Sequence, residues 1–228
     1  MRAASTWPGL TAVILAGGGG TRLGGRDKPM LAVAGVPMLD RVLGALGGAD
    51  LRIVVGPVRA GLPAGVRTVR EEPPGGGPAA ATAAGLALIP SADRAALVGV
   101  FAADLPHLTG EAVAVLVDAV TAGVDGAVFV DERGKRQLLC GVWRVHALRA
   151  GVERLGDPVG KSMRAVFDGL GVAEVRWEGG GPAPYFDCDT DEDLRRADEQ
   201  PARGPAAPGA AADGAAADGM SGDRSGVG

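Results

Sequence analysis

The chain has 228 residues, 46% of them hydrophobic and 22% charged, a balance ordinary for a water-soluble globular protein and enough for one substantial α/β core rather than two. A net charge of −4 with a pI near 5.2 sets up no general field for a polyanion, which argues against nucleic acid as a partner and requires any phosphate site to come from a local group of cations. Two cysteines, Cys140 and Cys188, are too few for a disulfide framework and lack zinc spacing; Leu10–Ala16 is too short to span a membrane and runs into glycines rather than a cleavage site, so a cytoplasmic protein with reduced thiols and no membrane partner is expected.

Thr11–Leu15 is a compact apolar run with β-branched Val13 and Ile14, closed by four glycines: a buried strand entering a loop. Met38–Leu46 then places Met38, Leu39, Val42, Leu43 and Leu46 at helical spacing, and Leu51–Val55, stopped by Gly56-Pro57, reads as a second buried strand. A short strand at Val66–Val69, an Ala-rich helix at Pro78–Ile89, a strand at Ala96–Phe101 and a helix at Glu111–Thr121 continue the alternation, which predicts a mainly parallel sheet covered by helices on both faces. Gly126–Val130 and Leu138–Trp143, separated by the charged turn Asp131–Arg136, predict an antiparallel hairpin and so a mixed sheet. Val145–Leu155 and Lys161–Leu170 read as helices, Ala173–Trp177 as a late strand, and Asp191–Glu199 as a final helix beginning at Thr190. Beyond Pro201 the composition falls to mostly Ala, Gly, Pro, Asp and Ser without leucine, isoleucine or aromatic residues, too little apolar area to offset ordering entropy. One domain over residues 1–200 and a disordered tail over 201–228 are expected.

The segment Leu15–Pro29, LAGGGGTRLGGRDKP, carries the strongest chemical signal. Glycines such as Gly17 and Gly18 let main-chain amides approach phosphate oxygens without an intervening Cβ. Arg22 then offers a planar fork and Lys28 a compact charge, a pair suited to a group whose negative charge grows as pyrophosphate leaves. Two other glycine motifs are excluded. Counted from Gly17 or Gly18, the sixth position of a dinucleotide fingerprint falls on Arg22 or Leu23 instead of glycine. Gly156–Ser162, GDPVGKS, has one residue too few for a P-loop and follows a helical pattern rather than a strand.

Asp104, in Ala103-Asp104-Leu105-Pro106, follows a hydrophobic strand directly, at the sheet edge where α/β proteins bind ligands. Its carboxylate either caps the turn before Pro106 or, with phosphate oxygens and waters, holds magnesium. A second acidic group, Phe186–Leu194 (FDCDTDEDL), contains Asp187 and Asp189 and also suits a helix N-terminus at Thr190.

Together these residues resemble the molybdenum cofactor guanylyltransferases. The loop is similar to their signature L-A-G-G-x-x-x-R-M-G-G-x-D-K, with Leu23 in place of methionine, and the likeness runs from about Thr11 to Ala197. It implies an α/β, Rossmann-like three-layer fold of the GT-A nucleotidyltransferase type. The implied activity is transfer of GMP from GTP to the phosphate of molybdopterin, releasing pyrophosphate. The implied nucleotide contacts are Leu15, Ala16, Gly17, Gly18, Lys28, Glu72 and Asp104; Arg22, Lys28 and Asp104 would be catalytic, and Asp104 with Asp189 would hold Mg2+. Implied partners are GTP, a phosphorylated pterin and, transiently, molybdenum cofactor enzymes or chaperones.

The chain also departs from the pattern. Asp187, Asp189 and Asp191 replace two asparagines and a proline of the family's closing segment, Glu72 stands where it has aspartate, and Gly56 where it often has asparagine. Gly75–Pro78 matches the family's G-P-L-A-G region loosely, and Gln137 with Leu139–Trp143 resembles its acceptor-side strand; Lys135 and Arg136 are charges of a solvated turn or contacts for an anionic acceptor. Rival readings are a cytidylyltransferase, whose loop more often reads L-A-A-G, an enzyme activating a sugar or lactate phosphate, and a noncatalytic nucleotide-binding subunit. Every enzymatic version requires Lys28 and Asp104 to face one another.

Overall fold

The computed structural model describes residues 6–18, 25–90 and 96–200. Its framework is a seven-stranded sheet built from β1 (Trp7–Leu15), β4 (Ala49–Val55), β5 (Val66–Val69), β6 (Leu97–Ala102), β7 (Gly126–Val130), β8 (Arg136–Arg144) and β9 (Val172–Arg176), in the order β5-β4-β1-β6-β8-β7-β9. Neighbours run parallel except around β8, which is antiparallel to both β6 and β7. This is the mixed, mainly parallel α/β arrangement expected, with the hairpin where the charged turn predicts it.

The inner strands read as unbroken apolar runs because both faces are covered. Along β1, Ala12 and Ile14 pack to one side with α1 (Met38–Ala45) and α3 (Gly110–Ala119); Val13 and Leu15 pack to the other with α2 (Gly77–Ala87), α4 (Val145–Arg154) and α5 (Met163–Phe167). Val13 and Ile14 are fully buried, and each such side chain contributes about 1.5–3 kcal/mol of hydrophobic stabilisation. Trp143 of β8 stacks on Phe167 of α5 with ring centroids 3.9 Å apart. Gly126 of β7 makes room for it, since a Cβ there would lie 2.2 Å from the indole.

Two local departures have simple causes. The expected helix Lys161–Leu170 contracts to Met163–Phe167, because the Ser162 hydroxyl caps the amide of Ala165 at one end and Gly169 takes a φ of +75° at the other. A small hairpin, β2 (Ala32–Val33) with β3 (Val36–Pro37), is absent from the sequence reading. Its turn puts Ala34 and Gly35 both at positive φ, and the Ala34 amide donates to Asp198 at 2.6 Å, tying the hairpin to α6 (Asp191–Glu199). Val33, Met38, Cys188 and Ala197 form the small core beneath.

The consequence for function lies in the strand directions. β1, β4, β5 and β6 are parallel, so their carboxyl ends open on one edge of the sheet. Beyond the strand ends the ladder continues: Ala16 donates to the Val55 carbonyl at 2.8 Å and Ala103 to the Leu15 carbonyl at 3.0 Å. The root of the glycine loop and the residue before Asp104 are thereby side by side. The proposed tail, 201–228, lies outside the described residues. Among those described, no helix is long and apolar enough to cross a membrane.

Candidate active site

Lys28 opens a short 3-10 turn, Lys28–Met30, in which Pro29 supplies a preset backbone angle and a buried anchor. Its ammonium reaches across the sheet edge to form an ion pair with Asp104 Oδ2 and donates to Asp189 Oδ1 at 2.6 Å. The Lys28 and Asp104 side chains are only 18% and 19% exposed, so their interaction is less screened than a surface pair's. Burial pulls the Lys28 pKa down, but Asp104 and Asp189 outweigh it and hold the ammonium above the ordinary lysine value. Three residues far apart in sequence thus share one charge cluster.

Asp104 has a further property. While Oδ2 serves Lys28, Oδ1 is buried and has no hydrogen-bond partner. A buried carboxylate oxygen without a donor is costly to leave bare, and a cation satisfies it. Among the described residues no group of three or more His, Cys, Asp or Glu side chains is arranged to hold a metal by itself. The donor set therefore fits magnesium, which takes one or two carboxylates and fills its remaining positions with phosphate oxygens and water, better than a metal needing an all-protein cage.

The closing segment is placed by its own helix cap. Thr190 accepts from the Asp193 amide at 3.1 Å while the Asp193 carboxylate accepts from the Thr190 amide at 2.9 Å, a reciprocal capping box that starts α6. The Cys188 amide donates to the Asp104 carbonyl at 3.3 Å, laying the segment along the Asp104 loop. Capping accounts for Thr190 and Asp193 and leaves Asp187 and Asp189 facing the site. Burial raises the Asp187 pKa, and the nearby charges of Asp189 and Asp104 raise it further. Beside these carboxylates opens a cavity of about 250 Å³, lined among others by Gln137, Leu139 and Tyr185 as well as Asp104, Asp187 and Asp189. One end of it is acidic, with Asp104 paired to Lys28; the remainder combines apolar Leu105 and Leu139 with the ring of Tyr185 and the amide of Gln137.

The other expected residues are distributed as follows. Leu15 and Ala16 are buried at the end of β1, and Gly17 and Gly18 are exposed where the loop begins. Arg22 lies outside the described residues. Glu72 is exposed, whereas its neighbour Glu71 turns inward against Gly17, accepting from the Gly75 amide at 3.0 Å with Oε1 and leaving Oε2 buried and unpartnered. Lys135 is exposed, and Arg136 pairs with Glu174 at 2.7 Å away from the cluster. The GDPVGKS segment is a buttress: Gly160 donates to the Gly76 carbonyl at 2.8 Å, against the N-terminus of α2. His107, tilted against Phe186 with ring centroids 5.5 Å apart, is buried, and desolvation followed by the charge of Arg41 pushes its pKa down to about 4. Both cysteines are buried free thiols, Cys188 pushed up to about 12 chiefly by burial.

Sequence reasoning missed Glu71 and Tyr185. Extending the alternation of β5 past its end could have assigned Glu71 inward, since Val69 packs inward two residues earlier; Tyr185 carries no local signal.

A family model described as MobA-like NTP transferase domain matches residues 12–174. A molybdenum cofactor guanylyltransferase of Bradyrhizobium sp. (strain ORS 278) is 32% identical over 204 residues, covering 85% of this chain and 94% of the relative. One from Rhodobacter capsulatus is 30% identical over 194 residues, covering 84% and 96%. Among solved structures, a molybdopterin-guanine dinucleotide biosynthesis protein A from Archaeoglobus fulgidus superposes with a TM-score of 0.65 at 20% identity, over 83% of this chain and 97% of that one. That likeness bears on the fold, which it shares.

Proposed function

The chain belongs to the MobA-like NTP transferase family, and on that premise we propose that it is a guanylyltransferase joining GMP from GTP to the terminal phosphate of molybdopterin. It is a nucleotidyltransferase by descent; the choice of nucleotide and acceptor is the proposal. One observation carries it: Lys28 stands between Asp104 and Asp189 at the carboxyl edge of the parallel strands, beside a cavity walled by Leu139, Tyr185 and Gln137. A cation for phosphates, carboxylates for a metal and a pocket for a flat heterocycle adjoin one another.

In the proposed reaction a phosphate oxygen of the acceptor attacks the α-phosphorus of GTP. A new P–O–P linkage forms, the bond to the bridging α–β oxygen breaks, and pyrophosphate departs with that electron pair. The nucleophile is already anionic near neutral pH, so no general base is needed. Lys28, beside the carboxylates that would hold the metal, stabilises equatorial and leaving-group charge, and Arg22 is assigned the same work. Asp104, with Asp189 beside it, would hold Mg2+, which when bound supplies counter-charge for the phosphates. Leu15, Ala16 and the Gly17–Gly18 amides would line the nucleotide, with Glu72, or Glu71 turned inward against Gly17, as the carboxylate for its base or ribose. Gln137, Leu139 and Tyr185 form the wall on which the pterin ring would lie. The reading carries with it a cytoplasmic enzyme that hands its product to molybdenum cofactor enzymes or their chaperones.

The test is mass spectrometry of the product formed from GTP, Mg2+ and a molybdopterin source, with pyrophosphate release followed in parallel for GTP and CTP. A GMP adduct of the pterin supports the proposal. A cytidylyl adduct with CTP alone, or tight GTP binding with no turnover, would replace it with one of the rival readings.

A further inference from the structure

Arg59 occupies the loop that leaves β4, three residues after Gly56, and its side chain is only 7% exposed. Its guanidinium meets fixed acceptors on two segments. Nε donates to Asp27 Oδ2 at 2.8 Å and Nη2 to Asp27 Oδ1 at 2.7 Å, a bidentate fork. Nη2 also donates to the Ala16 carbonyl at 2.8 Å, and Nη1 to the Pro57 carbonyl of its own loop at 3.3 Å. Ala16 is the last residue before the glycine run; Asp27 immediately precedes Lys28. One side chain therefore ties the residue ahead of Gly17 to the residue ahead of Lys28.

Gly56 permits this arrangement. It takes a φ of +148°, and a Cβ there would lie 2.8 Å from the Ala16 carbonyl carbon and oxygen and 2.9 Å from the Gly17 nitrogen. The β4 loop thus rests directly on the root of the glycine loop, close enough for Arg59 to reach across. The hydrogen bonds from Arg59 hold the Asp27 carboxyl below its ordinary range, outweighing the opposing effect of its partial burial. Asp27 is thus committed to Arg59 as an anion.

We infer that Arg59 is a positioning residue for the nucleotide: by clasping Ala16 and Asp27 together it presents the Gly17–Gly18 amides and the Lys28 ammonium to a triphosphate in one preset arrangement. Holding Ala16 and Asp27 in place before the ligand arrives leaves less ordering to be done on binding. The inference rests on the reading that this loop receives a nucleoside triphosphate. It also sets apart two explanations of the same contacts. If Arg59 merely adds positive field, neutralising Asp27 strengthens binding of a polyanion; if it positions the loop, neutralising Asp27 weakens binding, because the fork loses an oxygen.

The experiment is calorimetric titration of the full chain with GTP and Mg2+, alongside steady-state kinetics, for wild type, Arg59→Ala, Arg59→Lys and Asp27→Asn. Loss of charge-assisted hydrogen bonds of this kind is expected to weaken GTP binding and raise KM for GTP about tenfold or more in Arg59→Ala, with KM for the acceptor unchanged. Arg59→Lys fails to rescue, since one ammonium cannot keep the planar fork and the Ala16 contact together. Asp27→Asn weakens GTP binding in the same direction, and because Asp27 is half exposed it carries the test alone should Arg59→Ala fail to fold. Unchanged GTP affinity in Arg59→Ala, restoration by lysine, or tighter binding in Asp27→Asn would each overturn the inference. A wild-type chain that binds no GTP would instead overturn the nucleotide reading, and this inference with it.

Discussion

Replacing Lys28 with alanine removes the ammonium shared by Asp104 and Asp189, and the structure sets the scale of the effect. Breaking a fully buried ion pair costs about 3–5 kcal/mol, whereas a surface pair is worth about 0–1. Lys28 and Asp104 are less than a fifth exposed, but Asp189 is 46% exposed and well screened, so a stability loss of about 1–3 kcal/mol is expected. The loss is expected to depend on pH. Asp187 already titrates above its ordinary value through burial and the charges of Asp189 and Asp104, with Lys28 working the other way. A carboxyl whose folded pKa is raised disfavours the native state once ionised, and acidification through that pKa relieves the strain. The gap between Lys28→Ala and wild type therefore narrows as pH falls from neutrality toward the carboxylate range, a trend that urea denaturation at several pH values measures. In the proposed reaction turnover suffers more: loss of a charge stabilising the departing pyrophosphate is worth about 3–4 kcal/mol, on the order of a hundredfold or more in rate. Pyrophosphate release at saturating GTP and acceptor reads this directly. A Lys28→Ala protein with wild-type turnover refutes the electrostatic argument.

Three other outcomes follow from the same geometry. Asp104→Asn keeps the shape of the side chain but not its charge; turnover should fall about a hundredfold or more, and the dependence of rate on Mg2+ concentration should flatten, whereas an unaltered magnesium titration would dissociate Asp104 from the metal. Tyr185→Leu preserves bulk against Phe129, whose ring centroid lies 5.7 Å away, yet removes the flat wall of the cavity; KM for the pterin should rise by about tenfold, the order of one aromatic contact, with KM for GTP unmoved. His107 is buried and neutral with a pKa near 4, so the unfolded chain takes up its proton first. Stability should decline as pH drops from about 6.5 to 4, by up to about 3 kcal/mol from this group. Chemical denaturation of His107→Leu should show a shallower decline over that window, and parallel pH profiles would exclude His107 as its source.

Much of the framework is legible in the residue order because covering both faces of a strand leaves a local signature. Val13-Ile14 and Ile53-Val54-Val55 are continuous apolar runs, and both fall in inner strands of the sheet. Thr190 and Asp193 announce the last helix through capping chemistry confined to four residues. The hairpin at residues 32–37 escapes such reading, since two-residue strands are too short to show a period and its turn uses Ala34-Gly35 rather than a residue pair that advertises positive φ. The helix expected over Lys161–Leu170 is overlong because periodicity did not register the stop imposed at Gly169.

The same division runs through the site. Residue order alone determined which chemistry is present: a glycine run followed by Lys28, an aspartate at the end of a buried strand and an acidic group before the last helix, each recognisable from its immediate neighbours. Tertiary structure alone decided who meets whom. That Lys28 lies between Asp104 and Asp189, that Glu71 rather than Glu72 faces Gly17, and that Arg59 ties Ala16 to Asp27 all depend on strand order and register. Capping, turn and burial preferences act over a few residues and are written locally; electrostatic partnership acts through space, between segments brought together only when the sheet has formed.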